Sequence, residues 1–427
     1  MTPETKQRIE QIRRGEVPNG YKKTKKGIFP VEWEETTLNI VADIGQGYTF
    51  KREYQGQSVG RWNYFKVADI GLKNTGIFLA SAINKVDDSL IKQTGCKPFS
   101  AGSIVFPRVG AALLNNNKKI LLQDSIVDDN VLVLTVKDKF ICNNIFLYYL
   151  LARLRLEDWC NSGLVPVINS KTVLKQTVNI PPIAEQQKIA AILTTQDKVI
   201  ALKEKRLAEK QRQKKYLMQQ LLTGKKRLPR FSEQWKKVKL GDICVVNPPK
   251  EENYPDIVAF LGMADISENG SIITEHKKNY ESVKTGFTPF KRGDILIAKI
   301  TPCFENGKGA LTDKCSSAYG FGSTEFHVLR CKAVNSKFLY HHTRTDFFRK
   351  RLEAEMVGSA GQKRVQANSI INYAILLPPP IEQTAIAEIL SVADREIELI
   401  RQEIEQEKEK KKALMQLLLT GIVRVKS

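Results

Sequence analysis

Basic, amide and aromatic side chains alternate in several stretches of the chain that are predicted to form loops. Arg and Lys side chains can hydrogen-bond guanine edges, Asn and Gln side chains can bond adenine edges, and other basic side chains hold phosphates. This clustering predicts contacts with nucleic acid, although an ordinary surface loop explains any single residue equally well. The DNA-binding candidates are Lys51, Arg52, Arg61, Trp62, Asn63, Tyr64, Lys66, Arg108, Asn116 and Lys118 in the first half, and Lys299, Thr301, Asn306, Lys308, Lys363 and Arg364 in the second.

Residues arranged for catalysis are few. The segment Asn247-Pro248-Pro249-Lys250 is similar to the N-P-P-[FYW] loop of amino-methyltransferases, but a lysine replaces the aromatic side chain that stacks on a flipped base. Asp256, Glu275 and Lys277 have the spacing of a nuclease metal site, yet the first half has no counterpart. The chain has no G-x-x-x-x-G-K-[ST] loop for ATP. We therefore expect no catalytic residues, no bound metal and no bound cofactor.

The composition favours a polyanionic partner. The 427 residues are 42% hydrophobic, which allows two or three domains with full cores, and the formal net charge is +21. Basic side chains that neutralise phosphates release condensed counterions, so such an excess is typical of nucleic-acid binding. The alternative interpretation is a basic surface that serves solubility.

The cysteines and the N-terminus indicate a cytoplasmic protein. The seven cysteines include no C-x-x-C pair and their number is odd, which argues against a disulfide framework or a zinc site. The charged N-terminal residues predict no signal peptide, and the sequence has no apolar run long enough to cross a membrane. Residues 1–27 form a basic N-terminal arm.

The chain contains a tandem repeat. Pro181–Gly224 aligns without a gap to Pro378–Gly421, 197 positions later, with 20 identities in 44 positions. Upstream, a W-x-x-x-x-L segment, a P-F-x-x-G-x-I segment and an F-L-Y segment also occur in each half. The Trp-to-Pro-Phe spacing is 65 residues in the first half and 54 in the second. A shared scaffold with different loops suits a reader of two different sequences; drift after duplication is the alternative.

Each repeated segment predicts a long helix. Apolar residues recur every seven positions, and Lys214 and Lys411 are the interruptions. Residues 183–222 contain nine basic and four acidic side chains, whereas residues 381–420 contain six and nine, so the two helices are expected to attract each other. The predicted coiled-coil seam consists of Leu193, Ile200, Leu207 and Leu221 in the first helix and Leu390, Ile397, Ile404 and Leu418 in the second.

The expected fold class is α+β, with two mixed recognition domains related by pseudo-twofold symmetry and separated by an antiparallel coiled coil. The strands are predicted near 103–106, 131–136, 294–300 and 325–329, and helices near 144–160 and 336–356. Helices that dock on separate domains are the alternative to the coiled coil. The basic linker at 224–230 is either a phosphate-tracking segment or a solvated hinge. The expected divisions are 1–27, 28–180, 181–224, 225–377 and 378–427.

The repeated P-P-x-x-E-Q-x-x-I-A-x-I-L and L-L-T-G segments resemble the specificity subunit of type I restriction–modification systems. The resemblance extends from about Ile28 to Arg424, but the second copy reads Pro-Pro-Pro-Ile-Glu-Gln. The first half reads Gly-Leu-Val-Pro-Val-Ile-Asn where the second has Gly-Gln-Lys-Arg-Val-Gln-Ala-Asn, so no role of Lys363 and Arg364 is carried to the first half.

The resemblance implies that each domain reads one part of a split, asymmetric site in double-stranded DNA, and that the helices set the unread gap. It implies as partners two methyltransferase (modification) subunits, which use S-adenosylmethionine to methylate adenine, and restriction subunits, which use ATP and Mg. A coiled-coil adaptor that binds nucleic acid incidentally, or a specificity subunit of a related system, remains the alternative.

Overall fold

Two helices of 39 residues each, Ile183–Leu221 and Pro380–Leu418, run through the computed structural model. The structure describes residues 3–72, 76–161, 163, 165–359 and 361–425. Residues 1–204 and 402–427 form a first compact unit, and residues 205–401 form a second unit. This division cuts both long helices, so each unit contains part of each. The predicted α+β class and the packing of two long helices are confirmed.

The described part of the first unit contains four small sheets and several helices. Its strands are β1 (Tyr21–Thr24), β2 (Gly27–Pro30), β3 (Glu34–Thr37), β4 (Ala42–Gln46), β5 (Trp62–Phe65), β6 (Phe78–Leu79), β7 (Asn84–Val86), β8 (Ile104–Pro107), β9 (Lys119–Leu121), β10 (Ser125–Val127), β11 (Val131–Val136) and β12 (Thr177–Ile180). Its helices are α1 (Pro3–Arg13), α2 (Leu38–Val41), α3 (Val67–Ile70), α4 (Asp88–Thr94), α5 (Asn144–Ala152), α6 (Ser170–Leu174) and the first part of α7 (Ile183–Leu221). The sheet orders are β4-β11-β8-β9-β6, β10-β5-β7, β12-β3 and β1-β2.

The second unit repeats this plan. Its strands are β13 (Lys236–Lys239), β14 (Cys244–Val246), β15 (Ile257–Leu261), β16 (His276–Asn279), β17 (Thr288–Lys291), β18 (Ile295–Ala298), β19 (Gly309–Leu311), β20 (Tyr319–Gly322), β21 (Phe326–Cys331) and β22 (Ala374–Leu377). Its helices are α8 (Leu240–Ile243), α9 (Ser336–Thr343), α10 (Asp346–Ala354), α11 (Ala367–Ile371), the end of α7 and the start of α12 (Pro380–Leu418). The sheet orders are β14-β21-β18-β19, β16-β15-β20-β17 and β13-β22.

The main sheets of the two units share a strand order, although β1, β2 and β6 have no counterpart among the described strands of the second unit. The order β4-β11-β8-β9 matches β14-β21-β18-β19, and the parallel pair β5–β10 matches β15–β20. The central strands β8 and β18 are buried along their whole length, which explains their unbroken apolar sequences. The strands predicted from the sequence are therefore present, and they form the core of each unit.

Both predicted helices of the globular parts are shorter than expected. Helix α5 ends at Ala152 and a 3-10 turn follows at Leu156–Trp159, so residues 144–160 are not one helix. The predicted helix at 336–356 is two helices, α9 and α10. The break occurs because the Thr345 hydroxyl accepts a hydrogen bond from the Phe348 backbone N–H and so caps a new helix.

Helices α7 and α12 run antiparallel within each unit, because contacts move down α12 as they move up α7. In the first unit Lys203 pairs with Glu403 at 2.9 Å, and Lys411 pairs with Asp197 at 2.6 Å. In the second unit Lys214 forms the corresponding pair with Asp394. The two lysines that interrupt the heptads thus each meet an aspartate of the other helix.

Ile200, Leu207, Ile397 and Ile404 lie between these ion pairs, whereas Leu193, Leu221, Leu390 and Leu418 lie beyond them and join the cores of the units. Leu207 is half-buried, and the other seven seam positions are buried. Exposed ion pairs contribute about 0–1 kcal/mol each, so apolar packing stabilises the helix pair and the charges favour the correct partner.

Three buried histidines distinguish the second unit, since all four histidines of the chain lie at or beyond residue 276. Burial lowers the pKa of His327, His341 and His342 from 6.5 to about 4. The unfolded chain therefore takes up these protons near pH 6.5, whereas the folded unit takes them up near pH 4. The contribution of the neutral histidines to the free energy of unfolding is fully present above pH 6.5. It falls by about 1.4 kcal/mol per pH unit for each histidine as the pH drops towards 4.

We therefore expect acid to destabilise the second unit more than the first between pH 6.5 and 4.5. Urea unfolding at pH 7.5 and 5.0, with pulsed thiol labelling, separates the units, because buried Cys142 reports on the first and buried Cys315 on the second. The substitution His276→Gln, at an exposed position, serves as the control. Equal shifts of both labelling midpoints would contradict the prediction.

Candidate nucleic-acid interface

The glutamate of each P-P-x-x-E-Q segment is buried beneath an arginine and a tryptophan. In the first unit the Glu185 carboxylate accepts hydrogen bonds from Arg424 Nε and Nη2, both at 2.8 Å, and from Trp33 Nε1 at 3.3 Å. Such bidentate, charge-assisted bonds make it possible to bury a carboxylate. We call this set of three residues the first anchor.

The second unit contains the same set, the second anchor. Glu382 accepts hydrogen bonds from Arg227 Nε and Nη2, both at 2.8 Å, and from Trp235 Nε1 at 2.9 Å. Arg227 also lies over the Trp235 ring, 5.3 Å from its centroid. Arg227 belongs to the basic linker, so this linker residue is neither a hinge nor a free phosphate ligand.

The glutamine that follows each glutamate joins the helix to its globular domain. Gln186 Nε2 donates to the Pro181 carbonyl, and its Oε1 accepts from the Asn143 backbone N–H, both at 2.8 Å. Gln383 bonds Pro378 and the Asn335 N–H in the same way. Asn143 and Asn335 are the N-caps of α5 and α9. Sequence reasoning missed these roles, although the exact repetition of Glu-Gln was their signal.

The strand end after β18 brings four second-half candidates together. The Thr301 N–H donates to the Lys363 carbonyl and the Val365 N–H donates to the Lys299 carbonyl, both at 3.0 Å. Arg364 lies between them, opposite Ile300. Lys299, Thr301, Lys363 and Arg364 therefore share one short antiparallel pairing, although about 60 residues separate its two segments.

The first unit has the same pairing with other side chains. The Gly110 N–H donates to the Pro166 carbonyl and the Ile168 N–H donates to the Arg108 carbonyl, both at 2.9 Å. Arg108 thus occupies the position of Lys299, and its Nε is buried without a hydrogen-bond partner in the described part. The two half-chains present different residues on one backbone frame, which we call the paired edge.

Local partners modify the charge of the second paired edge. Arg364 is bonded to the Glu325 carboxylate, with Nη2 2.9 Å from Oε1, and this bond raises the pKa of Arg364. Burial lowers the pKa of Lys299, whose Nζ donates to the Thr324 carbonyl at 2.8 Å. Lys363 is exposed, whereas the Thr301 hydroxyl is buried.

Two further candidates lie in the loop that follows this edge. Asn306 Nδ2 donates to Glu268 Oε1 at 2.9 Å, and Lys308 Nζ donates to the Met263 carbonyl at 2.9 Å. The loop from Thr301 to Lys308 is therefore hydrogen-bonded to Met263 and Glu268, which come earlier in the chain.

Several first-half candidates lie at the surface. Arg61 pairs with Asp88 at 3.1 Å and lies 4.7 Å from the Trp62 ring centroid, and Trp62 Nε1 donates to the same aspartate at 2.7 Å. Lys66 Nζ donates to Gln55 Oε1. Lys51 is exposed, 3.9 Å from a Glu53 oxygen, and the side chain of Arg52 lies outside the described residues.

Other first-half candidates point into the domain. Asn63 Oδ1 accepts from the Ala82 N–H at 3.1 Å, and the Tyr64 hydroxyl donates to Asp128 at 2.9 Å. Lys118 Nζ donates to the Asn116 side chain and to the Leu154 carbonyl, and burial lowers its pKa to about 7. Asn116 also accepts from the Leu156 N–H at 2.9 Å. These side chains hold loops in place.

The motifs considered for catalysis have structural partners. Asn247 Oδ1 accepts from the Val328 N–H at 3.1 Å, and the Glu275 carboxylate accepts from the Ser316 N–H at 3.0 Å. Within the described ranges, no group of His, Cys, Asp and Glu side chains is arranged to hold a metal ion, and no helix is long and apolar enough to cross a membrane.

The sequence profile of the type I restriction modification DNA specificity domain matches this chain twice, over residues 30–211 and 232–409. The chain belongs to this family. It contains two copies of the type I DNA specificity domain.

Relatives from bacteria and archaea show this similarity. This chain is 38% identical to the EcoAI specificity subunit from Escherichia coli over 188 residues. It is 27% identical to the MjaVIII specificity subunit from Methanocaldococcus jannaschii over 351 residues. The matches cover 40% and 74% of this chain, and 32% and 81% of those relatives. The chain thus matches about a third of the length of the EcoAI relative.

Two solved structures share the fold. An S subunit from M. genitalium superimposes with a TM-score of 0.56 and 13% identity, covering 90% of this chain and 96% of the other. A chain from a structural study of assembly of the type I R-M system superimposes with a TM-score of 0.52 and 16% identity, covering 92% and 99%.

The anchor generates a stability prediction. We expect Glu185→Gln to destabilise the first unit by about 2 kcal/mol, because the charge that receives Arg424 is lost while the shape is kept. Denaturant unfolding of the purified subunit measures the change. Glu35→Gln, an exposed carboxylate two residues from Trp33, is the matched control. The role of the anchor is refuted if both variants unfold at the same midpoint.

Proposed function

We propose that this specificity subunit reads a bipartite, asymmetric site in double-stranded DNA, with one half-site for each recognition domain. The observation that carries this proposal is the paired edge, which repeats as a backbone frame but presents Arg108 in one domain and Lys299, Lys363 and Arg364 in the other. An identical frame with different side chains can read two different base sequences. The net charge of +21 supports binding to the phosphate backbone.

The proposed contacts come from the candidates whose side chains reach the surface. In the first domain these are Lys51, Arg61, Trp62, Lys66 and Arg108; Arg52, whose side chain lies outside the described residues, stays a candidate from the sequence. In the second domain they are Lys299, Asn306, Lys308, Lys363 and Arg364. The exposed lysines hold phosphates, and the arginines and Asn306 contact base edges. Asn63, Tyr64, Asn116, Lys118 and Thr301 support these contacts from within the domain.

The long helices are proposed to determine the number of unread base pairs. Each helix has 39 residues, which corresponds to a length of about 58 Å at 1.5 Å per residue. The other subunits of the complex are proposed to be two methyltransferase subunits, which bind S-adenosylmethionine, and restriction subunits, which use ATP and Mg. The complex is proposed to act on DNA in the cytoplasm.

A methylation map tests this proposal. We expect co-expression with the adjacent methyltransferase to methylate adenine in one split motif on both strands, because the specificity subunit directs the enzyme to that site. A specificity subunit without its partner, and the partner alone, are the controls. The absence of new methylation, together with an absence of salt-sensitive binding to duplex DNA, would favour an adaptor protein instead.

Domain exchange tests the assignment of half-sites. Replacing residues 235–375 with the equivalent segment of another specificity subunit is expected to change only one half of the motif, since the first paired edge is untouched. Sequencing of methylated DNA gives the result. A change in both halves would refute the assignment of one domain to one half-site.

Shortening the helices tests their spacing role. Removal of one heptad from both α7 and α12 is expected to shift the gap or abolish binding while each half-preference persists in isolated half-site competitors. The gap in the methylated motif shows whether the spacing has shifted. Binding to duplexes that differ in the number of unread base pairs shows whether binding has been lost. An unchanged gap with full methylation would contradict the proposal.

A further inference from the structure

The loop Thr301–Lys308 of the second domain joins β18 to β19 and carries candidate contact residues at both ends. Pro302, Glu305 and Asn306 are exposed in this loop, whereas Phe304 is fully buried in the core, so the loop presents one face to solvent. Gly307 has a φ of +80°, a conformation that favours glycine. A loop that contacts base edges needs its backbone held in one conformation, because mobility would allow other bases to be accepted.

Arg349 of α10 lies beneath this loop and bonds its backbone. Its Nη1 donates to the Phe304 carbonyl at 3.2 Å, its Nη2 to the Gly307 carbonyl at 3.4 Å, and its Nε to the Thr343 carbonyl at 2.9 Å. The guanidinium also lies 4.7 Å from the Phe304 ring centroid. The arginine therefore contacts the loop at two carbonyls and one aromatic face.

The environment of Arg349 shows that these bonds are its main compensation. The side chain is buried, and among the described residues no carboxylate forms an ion pair with it. Burial, together with the charge of Arg344, lowers the pKa of Arg349 to about 9, so the guanidinium remains charged at neutral pH. A buried cation costs free energy that an apolar side chain of similar size would not cost. The hydrogen bonds to the loop explain why an arginine fits this position.

Arg344 bonds the same loop at the Gly307 carbonyl. Its Nη1 donates to the Gly307 carbonyl at 3.1 Å, and its Nη2 donates to the Glu268 carbonyl at 3.0 Å. A Cβ atom at Gly270 would lie 2.3 Å from both Arg344 Nη1 and the Tyr340 hydroxyl, so a side chain there would displace these two groups. The Gly307 carbonyl therefore receives both arginines.

We propose that Arg344 and Arg349 are positioning residues that hold the loop Thr301–Lys308 in the conformation that reads the second half-site. This inference rests on the proposed function, since it assigns the loop to DNA recognition. Neither arginine touches the candidate side chains themselves. Arg349 acts through the backbone carbonyls of Phe304 and Gly307, and Arg344 acts through those of Gly307 and Glu268. The planar donors of each arginine match two carbonyls where a lysine matches one.

The first domain holds its corresponding loop by a different device. There the loop's own side chains make the bonds. Lys118 Nζ donates to the Leu154 carbonyl at 3.0 Å, and the Asn116 side chain accepts a hydrogen bond from the Leu156 N–H. The loops of the two domains are thus fixed by unrelated residues within separate units. Loosening one loop is expected to relax the reading of one half-site and to leave the other unchanged.

The test measures half-site discrimination by the complete complex with its methyltransferase. Methylation rates are compared on the cognate duplex, on duplexes with one mismatch in the second half-site, and on duplexes with one mismatch in the first. For Arg344→Gln and for Arg349→Lys, we expect discrimination against second-half mismatches to fall about tenfold, within the range for a good base contact. Discrimination against first-half mismatches should stay unchanged.

Matched variants complete the design. Arg351→Gln removes an exposed arginine of α10, which pairs with Glu355 at 2.9 Å. It should leave the discrimination against mismatches unchanged in both half-sites. Lys118→Met should relax only the first half-site. Gly270→Ala should also relax the second half-site, because the added Cβ would displace Arg344 Nη1, and it would displace the Tyr340 hydroxyl as well. Arg344 is half-buried, so Arg344→Gln decides whether the loop is positioned by the arginines if Arg349→Lys lowers the melting temperature.

The possible results separate this inference from the function on which it rests. Relaxation confined to the second half-site supports the positioning role. A fall in methylation by the same factor on cognate and mismatched duplexes, or relaxation of both half-sites, would overturn it and indicate a structural role. A wild-type complex that methylates no split motif would refute the proposed function itself, whatever the variants do.

Discussion

One buried glutamate at the start of each long helix is the constraint on which the rest of each unit depends. A carboxylate without compensation is costly to bury, and here an arginine fork and an indole N–H satisfy it. The arginine, Arg424 or Arg227, follows the end of the other long helix. The tryptophan directly precedes β3 in the first unit and β13 in the second. A single charge therefore joins the two helices and the base of the domain. The adjacent glutamine extends this junction to the helix of the globular part.

The anchor also explains how one scaffold carries two different readers. The three residues of the anchor and their mutual bonds are repeated, and so is the glycine after each Leu-Leu-Thr segment, which has a φ near +70° in both copies. The paired edge is repeated only in its backbone hydrogen bonds, and its side chains differ. The loops beyond the edge differ even in how they are held, with Arg344 and Arg349 in one unit and Lys118 in the other. Variation thus increases with distance from the anchor.

The candidate site was only partly predictable. The clusters around Lys51, Arg108 and Lys299 lie at strand ends and in loops, but the cluster from Arg61 to Lys66, which was predicted to be a loop, contains strand β5. The pattern did not distinguish Lys363, which is exposed, from Lys118, which is buried against a carbonyl. Nor did it select Arg349, since an arginine on a short helix has the same local sequence signature whether it faces solvent or a loop. Asn63 and Tyr64 belong to a strand whose inward face only the sheet defines.

The sequence by itself determined the repeat, the two long helices, their opposite charges, the α+β class and the family. These are local or statistical properties, because a heptad or a repeated motif is visible within a few dozen residues. Only the tertiary structure decided that Lys299–Thr301 pairs with Lys363–Val365, that the linker arginine reaches Glu382, and which polar side chains point inward. Such pairings join segments that lie far apart in the chain, and they form only when the core has brought the strand ends together.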